Sequence, residues 1–401
     1  MIHQYPPFGA DLGTKAMTPG ARVAAAIEIL DMIEDGQAVE KALTAWARRS
    51  RFAGSKDRAA VRDYVFDTVR NWRSDAIRGG NGTGRARIVG RLREMGADID
   101  GLFNGVGHAP EPLTDEEKER GQAPTDQADV WNLPEWVLPE FEASLGDSAA
   151  DIAKLLQTRA PITVRVNLSK CNVSQAAADL AEIGIETYAN PICVTALTIT
   201  AGERKLRNSP AYLEGWVELQ DASSQAIVTD LPAADLVLDY CAGGGGKALA
   251  LAAQDRQVIA HDINFDRMND LPARAERAGA SIKLLATDMI APEAPFDLVL
   301  IDAPCSGSGA WRRSPEAKWA LTEERLVELS NIQDQILDET VQYVSQNGTL
   351  IFATCSVFQR ENEDRVAAFL ARHTDWCCSK ETRLDVSEMA DGFFSAHLTR
   401  K

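Results

Sequence analysis

Residues 236–253 read LVLDYCAGGGGKALALAA. An unbroken apolar run ends in Asp239 and Tyr240, four glycines and a lysine follow at 243–247, and an alanine- and leucine-rich helical pattern takes over at once. A strand buried on both faces needs such a run, and strand, glycine turn and helix open a doubly wound α/β unit. Outward from this stretch the same signal returns in QVIAHD (257–262), SIKLLAT (281–287), FDLVLID (296–302) and GTLIFAT (348–354), with helical patterns between most of them. A mostly parallel, doubly wound sheet is predicted from Asp235 onward.

Upstream the pattern changes. ITVRVNL (162–168), SQAAADLAEIG (174–184) and ICVTALTIT (192–200) read as strand, helix and strand, a small α+β unit that closes near Ala222. NLPEWVLPEFEASLG (132–146) is an amphipathic helix candidate. Residues 105–129 are rich in Pro, Gly, Asp and Glu without a periodic apolar face, and read as a linker. The amino-terminal part is helical. Thr18-Pro19 offers a cap with proline at the first helical position, Val23, Ile27, Leu30 and Ile33 share one face, and Gly36 can close the helix. Two further helices are expected, from Ala38 to Arg49 and from Ser55 to Ile77, before the break GGNGTG at 79–84. The boundaries expected are 1–104, 105–129, 130–222 and 223–401.

With 401 residues and 45% hydrophobic content the chain can build several cores. No early segment has the order of a secretion signal, and no apolar run is long enough to span a bilayer, so a cytoplasmic protein without a membrane partner is expected. Seven cysteines without CxxC pairs or clustered histidines argue against a disulfide framework and against a structural metal site. The formal net charge of −17 argues against nucleic acid, but thirteen basic residues against four acidic ones lie between Arg48 and Arg93. That stretch is either a set of solvated helix faces or an RNA-contacting surface.

The glycines at 243–246 let backbone approach a ligand at a helix amino terminus, which suits a dinucleotide, a phosphate or S-adenosylmethionine, and equally a plain tight turn. A P-loop is excluded, because GGGGKA lacks both the spacing and the Ser/Thr for magnesium. Asp262 ends the next strand, where a carboxylate can accept from a ribose diol. Asp288 and Asp302 stand at two further strand ends, each also a candidate helix cap. Cys305 and Cys355, fifty positions apart, follow apolar runs at strand ends, whereas Cys171, Cys193, Cys377 and Cys378 read as packing residues.

Together CAGGGGK (241–247), Asp262, Asp288, DAPCSGSG (302–309) with WRRSPE (311–316), ATCS (353–356) with ENE (361–363), DGFFSAHL (391–398) and the lead-in QDASSQ (220–225) resemble the RsmB/Sun-type RNA cytosine-5 methyltransferases. The match is strong over the carboxyl-terminal half, and the helices before it resemble, more loosely, the NusB-like RNA-binding domain of bacterial members. The resemblance implies a class I methyltransferase fold, S-adenosylmethionine as cofactor and RNA as partner, 16S ribosomal RNA first and transfer RNA second, in a monomeric enzyme. It implies that Cys355 is the nucleophile at carbon 6 of cytosine and that Cys305 assists release. It places Asp302 on the cytosine edge, with Lys247 lining the same pocket. The cofactor set it implies is Cys241, Ala242, Gly243, Gly244, Gly245, Gly246, Lys247, Asp262 on the ribose, Arg267, Asp288 on the adenine, and Asp302.

A thiolate is useful because addition at carbon 6 makes carbon 5 enamine-like and able to take a methyl group. Arg312 and Arg313 are candidates for clamping RNA phosphates or for an internal salt bridge with Glu316 or a neighbour, and Trp311 and Phe393 for stacking on an extruded base or for the core. Two departures from the family pattern stand out. Glycine at 244 replaces the proline of AAPGGK, which loosens the unbound loop, and His397 stands where lysine is common. A DNA methyltransferase is disfavoured by the short segment after Cys355. A non-catalytic RNA-binding assembly factor has no need of Cys305, Cys355, Asp302 and Lys247 together, and a nicotinamide dehydrogenase explains neither cysteine.

Overall fold

The computed structural model describes residues 16–401, and the chain divides into two units between Asn132 and Leu133. In the first, Thr18 Oγ1 accepts from the Ala21 amide at 3.2 Å and Pro19 begins the helix Pro19–Glu34. Helices Val39–Arg49, Ser55–Arg70, Trp72–Gly79 and Gly84–Glu94 pack with it around Ile29, Leu30, Trp46, Val61, Val65 and Ile88. The single helix expected over 55–77 is two, broken at Asn71. The cause lies far along the chain: Asn132 Oδ1 takes the amides of Arg73 at 3.1 Å and Ser74 at 3.0 Å, so the second helix starts on a tertiary cap.

The stretch expected as a linker belongs to this unit. It carries the helices Asp115–Glu119 and Gln127–Trp131, and Arg85 pairs with Glu117 at 2.6 Å while Arg93 donates to the carbonyls of Arg78, Glu117 and Arg120. Those contacts are one case of a general pattern in the basic stretch. Arg49, Arg62, Arg70, Arg73, Arg78, Arg85, Arg87 and Arg91 each pair with a carboxylate of the same unit. Of the remainder, Arg93 and Arg58 donate to carbonyls, leaving Arg48, Arg51 and Lys56 exposed at the turn between two helices, beside Phe52 at 68% exposure.

The second unit begins with a four-stranded antiparallel sheet in the order β2-β3-β1-β4, made of β1 (Ile162–Val166), β2 (Glu186–Ala189), β3 (Ala196–Ala201) and β4 (Val217–Leu219). Val164, Val166, Leu197 and Val217 pack under the helix Val173–Glu182, whose Ala176 and Leu180 face them. Seven further strands form the large sheet: β5 (Leu236–Asp239), β6 (Gln257–His261), β7 (Ile282–Leu285), β8 (Phe296–Asp302), β9 (Val344–Thr354), β10 (Trp376–Leu384) and β11 (Phe393–Arg400). Their order is β10-β11-β9-β8-β5-β6-β7; the pairs among β5 to β9 are parallel, and β11 runs antiparallel to β9 and β10.

Apolar residues cover both faces. Val299 and Ile301 join one core with Leu238 and Phe352, while Leu298 and Leu300 join the other with Val237 and Ile351, which is why these strands read as continuous apolar runs. The mostly parallel doubly wound sheet expected from the sequence is present, with the helical region and the small α+β subdomain before it. Strand order reverses between β5 and β8, so the carboxyl ends of β5, β6, β8 and β9 open onto one crevice. Among the described residues no helix is long and apolar enough to cross a membrane.

Candidate active site

The glycine loop fills the start of that crevice. Gly245 has φ +81° and caps the helix Gly246–Ala252; a Cβ there would meet Leu271 at 2.3 Å, so the turn admits only glycine. Gly244, at the position of the family's proline, has its carbonyl held by Arg274, which also reaches Glu218 at 3.5 Å. Asp262 closes the far wall: its Oδ2 accepts from the Gly243 amide at 2.9 Å and from Arg267 at 3.0 Å, and its Oδ1 from the Asn264 amide at 3.0 Å. Three of about four acceptor sites are taken, so Asp262 can still accept one hydroxyl, on Oδ1. Asp288 is exposed beyond the end of β7, and burial beside Asp239 pushes the thiol of Cys241 far up, leaving it an inert neutral group.

At the centre Lys247 Nζ sits 2.6 Å from Asp302 Oδ2 and 4.6 Å from the centroid of the Phe393 ring. Burial opposes the ammonium charge, but the Asp302 carboxylate more than offsets it and holds Lys247 above its ordinary range. Beneath them lies Asp239, fully buried at the end of β5. Burial, reinforced by Asp302, raises its pKa to about 7.

The two cysteines flagged in the sequence meet. β8 and β9 are parallel neighbours with Asp302 opposite Ala353, and the loops leaving them bring Cys305 Sγ to 3.5 Å from Cys355 Sγ. The approach depends on Gly309, whose amide donates to the Cys355 carbonyl at 2.9 Å and whose missing side chain leaves room for Gly392. Contact with Cys355 and burial push the Cys305 thiol well above its usual range. The antiparallel register Phe394 to Thr354 sets Phe393 beside Cys355.

Above Cys355 opens a cleft of about 690 Å³, lined on one side by Cys355, Phe393 and Ala310 and on the other by Thr163, Gln220 and Arg207 of the small subdomain. QDASSQ joins the two sides: Asp221 caps the helix Ala222–Thr229 and pairs with Arg313 at 2.7 Å, while Gln220 accepts from Arg165 of β1 at 2.8 Å.

Two alternatives left open by the sequence are decided. Arg312, 1% exposed, pairs with Asp391 at 2.7 Å and donates to the Ser387 carbonyl, and Arg313 binds Asp391 and Asp221; burial removes Arg312 from any RNA surface, and the partners are these aspartates rather than Glu316. Trp311 is fully buried, donating from Nε1 to the Ser306 carbonyl at 3.2 Å and packing edge-on against Phe358, so it offers no face to a base. Sequence reasoning also missed Ser306, Ser356, Gln333 and Asp239 as parts of the site, and quoted Glu361 and Asn362 of ENE without giving them a role.

Comparison with known proteins fits this architecture. The family model described as 16S rRNA methyltransferase RsmB/F matches residues 226–398, and that of the RsmF/B-like ferredoxin-like domain matches residues 133–203. The chain is 28% identical to Ribosomal RNA small subunit methyltransferase B of Klebsiella pneumoniae (strain 342) over 432 residues, covering 95% of this chain and 98% of that protein. The protein of the same name from Escherichia coli O6:K15:H31 is 28% identical over 430 residues, with the same coverage. Among solved structures, PH0851 aligns with a TM-score of 0.75 at 23% identity over 97% of this chain and all of that one. NSun6 from Pyrococcus horikoshii aligns with a TM-score of 0.57 at 17% identity over 67% of this chain and 98% of that one. The two family models lie end to end along the subdomain and the sheet that wall one cleft, and together they span more than half of the sequence: the chain belongs to the RsmB/F methyltransferase family.

Proposed function

We propose that this protein transfers a methyl group from S-adenosylmethionine to carbon 5 of a cytosine in 16S ribosomal RNA, with Cys355 as nucleophile. The observation that carries this reading is the thiol pair, 3.5 Å apart, with Cys355 lining an open cleft and the Lys247–Asp302 ion pair nearby. The substrate is taken from the relatives' names.

The residues at the switch point fit the cofactor: a glycine turn closed to any side chain, Asp262 with spare acceptor capacity, and the buried carboxylate of Asp239 beneath the loop. Residues 241–247 and Asp262 would hold it, with Arg267, Asp288 and Asp302 around its edge, and when bound it supplies an electrophilic methyl group. The Cys355 thiolate adds to carbon 6, and the electron pair of the 5,6 double bond moves to carbon 5 while the ring takes a proton on its polar edge, where Asp302 is placed to stabilise it. After carbon 5 is methylated, its proton leaves to a base, the carbon–sulfur bond breaks, and its electrons return to sulfur as the 5,6 double bond re-forms. Cys305 assists that release. Lys247, fixed by Asp302 and Phe393, lines the pocket throughout.

RNA engages a second place. In the NusB-like helical unit Arg48, Arg51 and Lys56, which pair with no carboxylate among the described residues, flank exposed Phe52 in the sequence, a combination that suits phosphates and a stacked base. We take the enzyme to act in the cytoplasm as a monomer.

The test is transfer of radiolabelled methyl from S-adenosylmethionine to total RNA of a strain lacking this gene, followed by nucleoside analysis. Label in 5-methylcytidine of 16S RNA supports the proposal, and label in transfer RNA keeps the chemistry but overturns the substrate. Cys355→Ala is expected to abolish covalent RNA adducts and Cys305→Ala to accumulate them. The opposite pattern overturns the assignment of roles.

A further inference from the structure

Glu361 is fully buried, yet among the described residues it forms no salt bridge. Its carboxylate accepts instead from four neutral donors. Oε1 takes the Ser306 amide at 2.8 Å and Gln333 Nε2 at 3.1 Å; Oε2 takes the Ser306 hydroxyl and, at 2.6 Å, the Ser356 hydroxyl. Ser306 follows Cys305, and Ser356 follows Cys355. One carboxylate therefore grips the residue after each thiol, across two loops joined by no shared backbone.

The hydroxyl hydrogens account for the arrangement. With the single hydrogens of Ser306 and Ser356 assigned to Glu361, Ser308 Oγ lies 3.1 Å from Ser306 Oγ and 3.0 Å from Ser356 Oγ, and the amides of Ser308, Val357 and Phe358 donate to the serine oxygens. Every donor points at the carboxylate, as an ionised acceptor requires, although burial raises the pKa of Glu361 against the pull of those hydrogen bonds. An apolar side chain of that size would leave two hydroxyls and an amide unpaired.

We propose that Glu361 is a positioning residue whose carboxylate holds the Cys305 and Cys355 loops at thiol-to-thiol contact, and that its main burden is the Cys305 loop. The asymmetry is in the contacts. Cys355 has independent support, because Asn362 binds the Ser356 carbonyl at 2.9 Å and takes the Thr354 hydroxyl, and β9 runs straight into it. The Cys305 loop has Trp311 on the Ser306 carbonyl at 3.2 Å, but both Ser306 donors are on Glu361, and the Gln333 amide links Glu361 to the Pro304 carbonyl at 2.9 Å. The charge of Glu361 adds to the forces that keep Cys305 a neutral thiol. This inference rests on the proposed cytosine chemistry for its kinetic consequence but not for its geometry.

The test uses Glu361→Gln, with Ser306→Ala as a milder second variant should the first not fold. Release is expected to suffer more than addition: turnover falls by tenfold or more, covalent adduct on unmodified RNA accumulates as in Cys305→Ala, and binding of S-adenosylhomocysteine stays within twofold of wild type. Phenylarsine oxide, which chelates only two thiols held together, reads the geometry without any RNA. Its affinity above that of a Cys355→Ala control is expected to fall at least tenfold. Unchanged arsenical affinity overturns the positioning role whatever the reaction proves to be, as does a parallel loss of addition, release and cofactor binding. If Cys305→Ala protein forms no adduct on any RNA while the arsenical result holds, the cytosine chemistry fails and the positioning role stands.

Discussion

Asp239 is expected to hold the protein below its attainable stability at neutral pH, and Asp239→Asn should reveal by how much. Its carboxyl is raised from 3.8 to about 7, chiefly because burial at the end of β5 strips away water, with the neighbouring charge of Asp302 adding to it. A folded-state pKa above the unfolded one means that the native protein holds the proton more tightly. The stabilisation is therefore complete below pH 3.8 and is lost as pH rises towards 7. Three units at 1.36 kcal/mol each amount to about 4 kcal/mol by pH 8.5, against about 2 kcal/mol at pH 5.5. Asparagine has nearly the shape of the protonated acid and does not ionise, so the variant should gain about 2 kcal/mol over wild type between those two pH values. Urea unfolding of both proteins at pH 5.5 and 8.5, followed by tryptophan fluorescence, measures the difference; with a slope of about 3 kcal/mol per molar, the midpoint gap should widen by about 0.7 M. A gap that stays constant across that range would refute the reasoning, because it would mean that Asp239 ionises in the fold as it does in water. An acid kept at such a cost under the glycine loop has its reason in ligand binding, so the stabilised variant should bind S-adenosylhomocysteine more weakly.

Arg312→Met is expected to lower stability by about 1.5–3 kcal/mol, since it removes one of the two guanidinium partners of buried Asp391 and leaves Arg313 as the other, and to leave RNA affinity of the folded fraction unchanged; a stable variant that binds RNA poorly would restore the phosphate clamp. Replacing Arg48, Arg51 and Lys56 with alanine should weaken RNA binding and flatten the slope of log affinity against log salt by about 2, the release expected for three phosphate contacts on a single strand. An unchanged slope, or loss of binding to an acidic protein instead, would move RNA away from the turn at Phe52.

The features legible in the sequence were those whose cause is local. Thr18-Pro19 caps its helix through an amide three residues on, the glycines at 243–246 follow a strand and open a helix, and the runs from LVLDY to GTLIFAT are apolar on both faces because a covered parallel sheet demands it. Periodicity and turn chemistry act over a few residues, so the strand ends bearing Asp239, Asp262, Asp302, Cys305 and Cys355 could be found without coordinates.

What only the tertiary structure decided was pairing between distant residues. The thiols come within 3.5 Å because β8 and β9 are neighbours, a fact of strand order rather than of either segment. The +9 stretch from Arg48 to Arg93 loses most of its field to acids such as Glu28, Glu34, Glu117 and Asp129, which lie outside any window drawn around it. Arg312 turned inward to Asp391, 79 residues away, and Glu361 acquired its hold on two loops only when both had arrived. Sequence sets which groups can ionise, donate or pack. Which of them is buried, and beside what, is set by the fold, because Coulomb and hydrogen-bond energies depend on distance and desolvation that a linear chain does not contain.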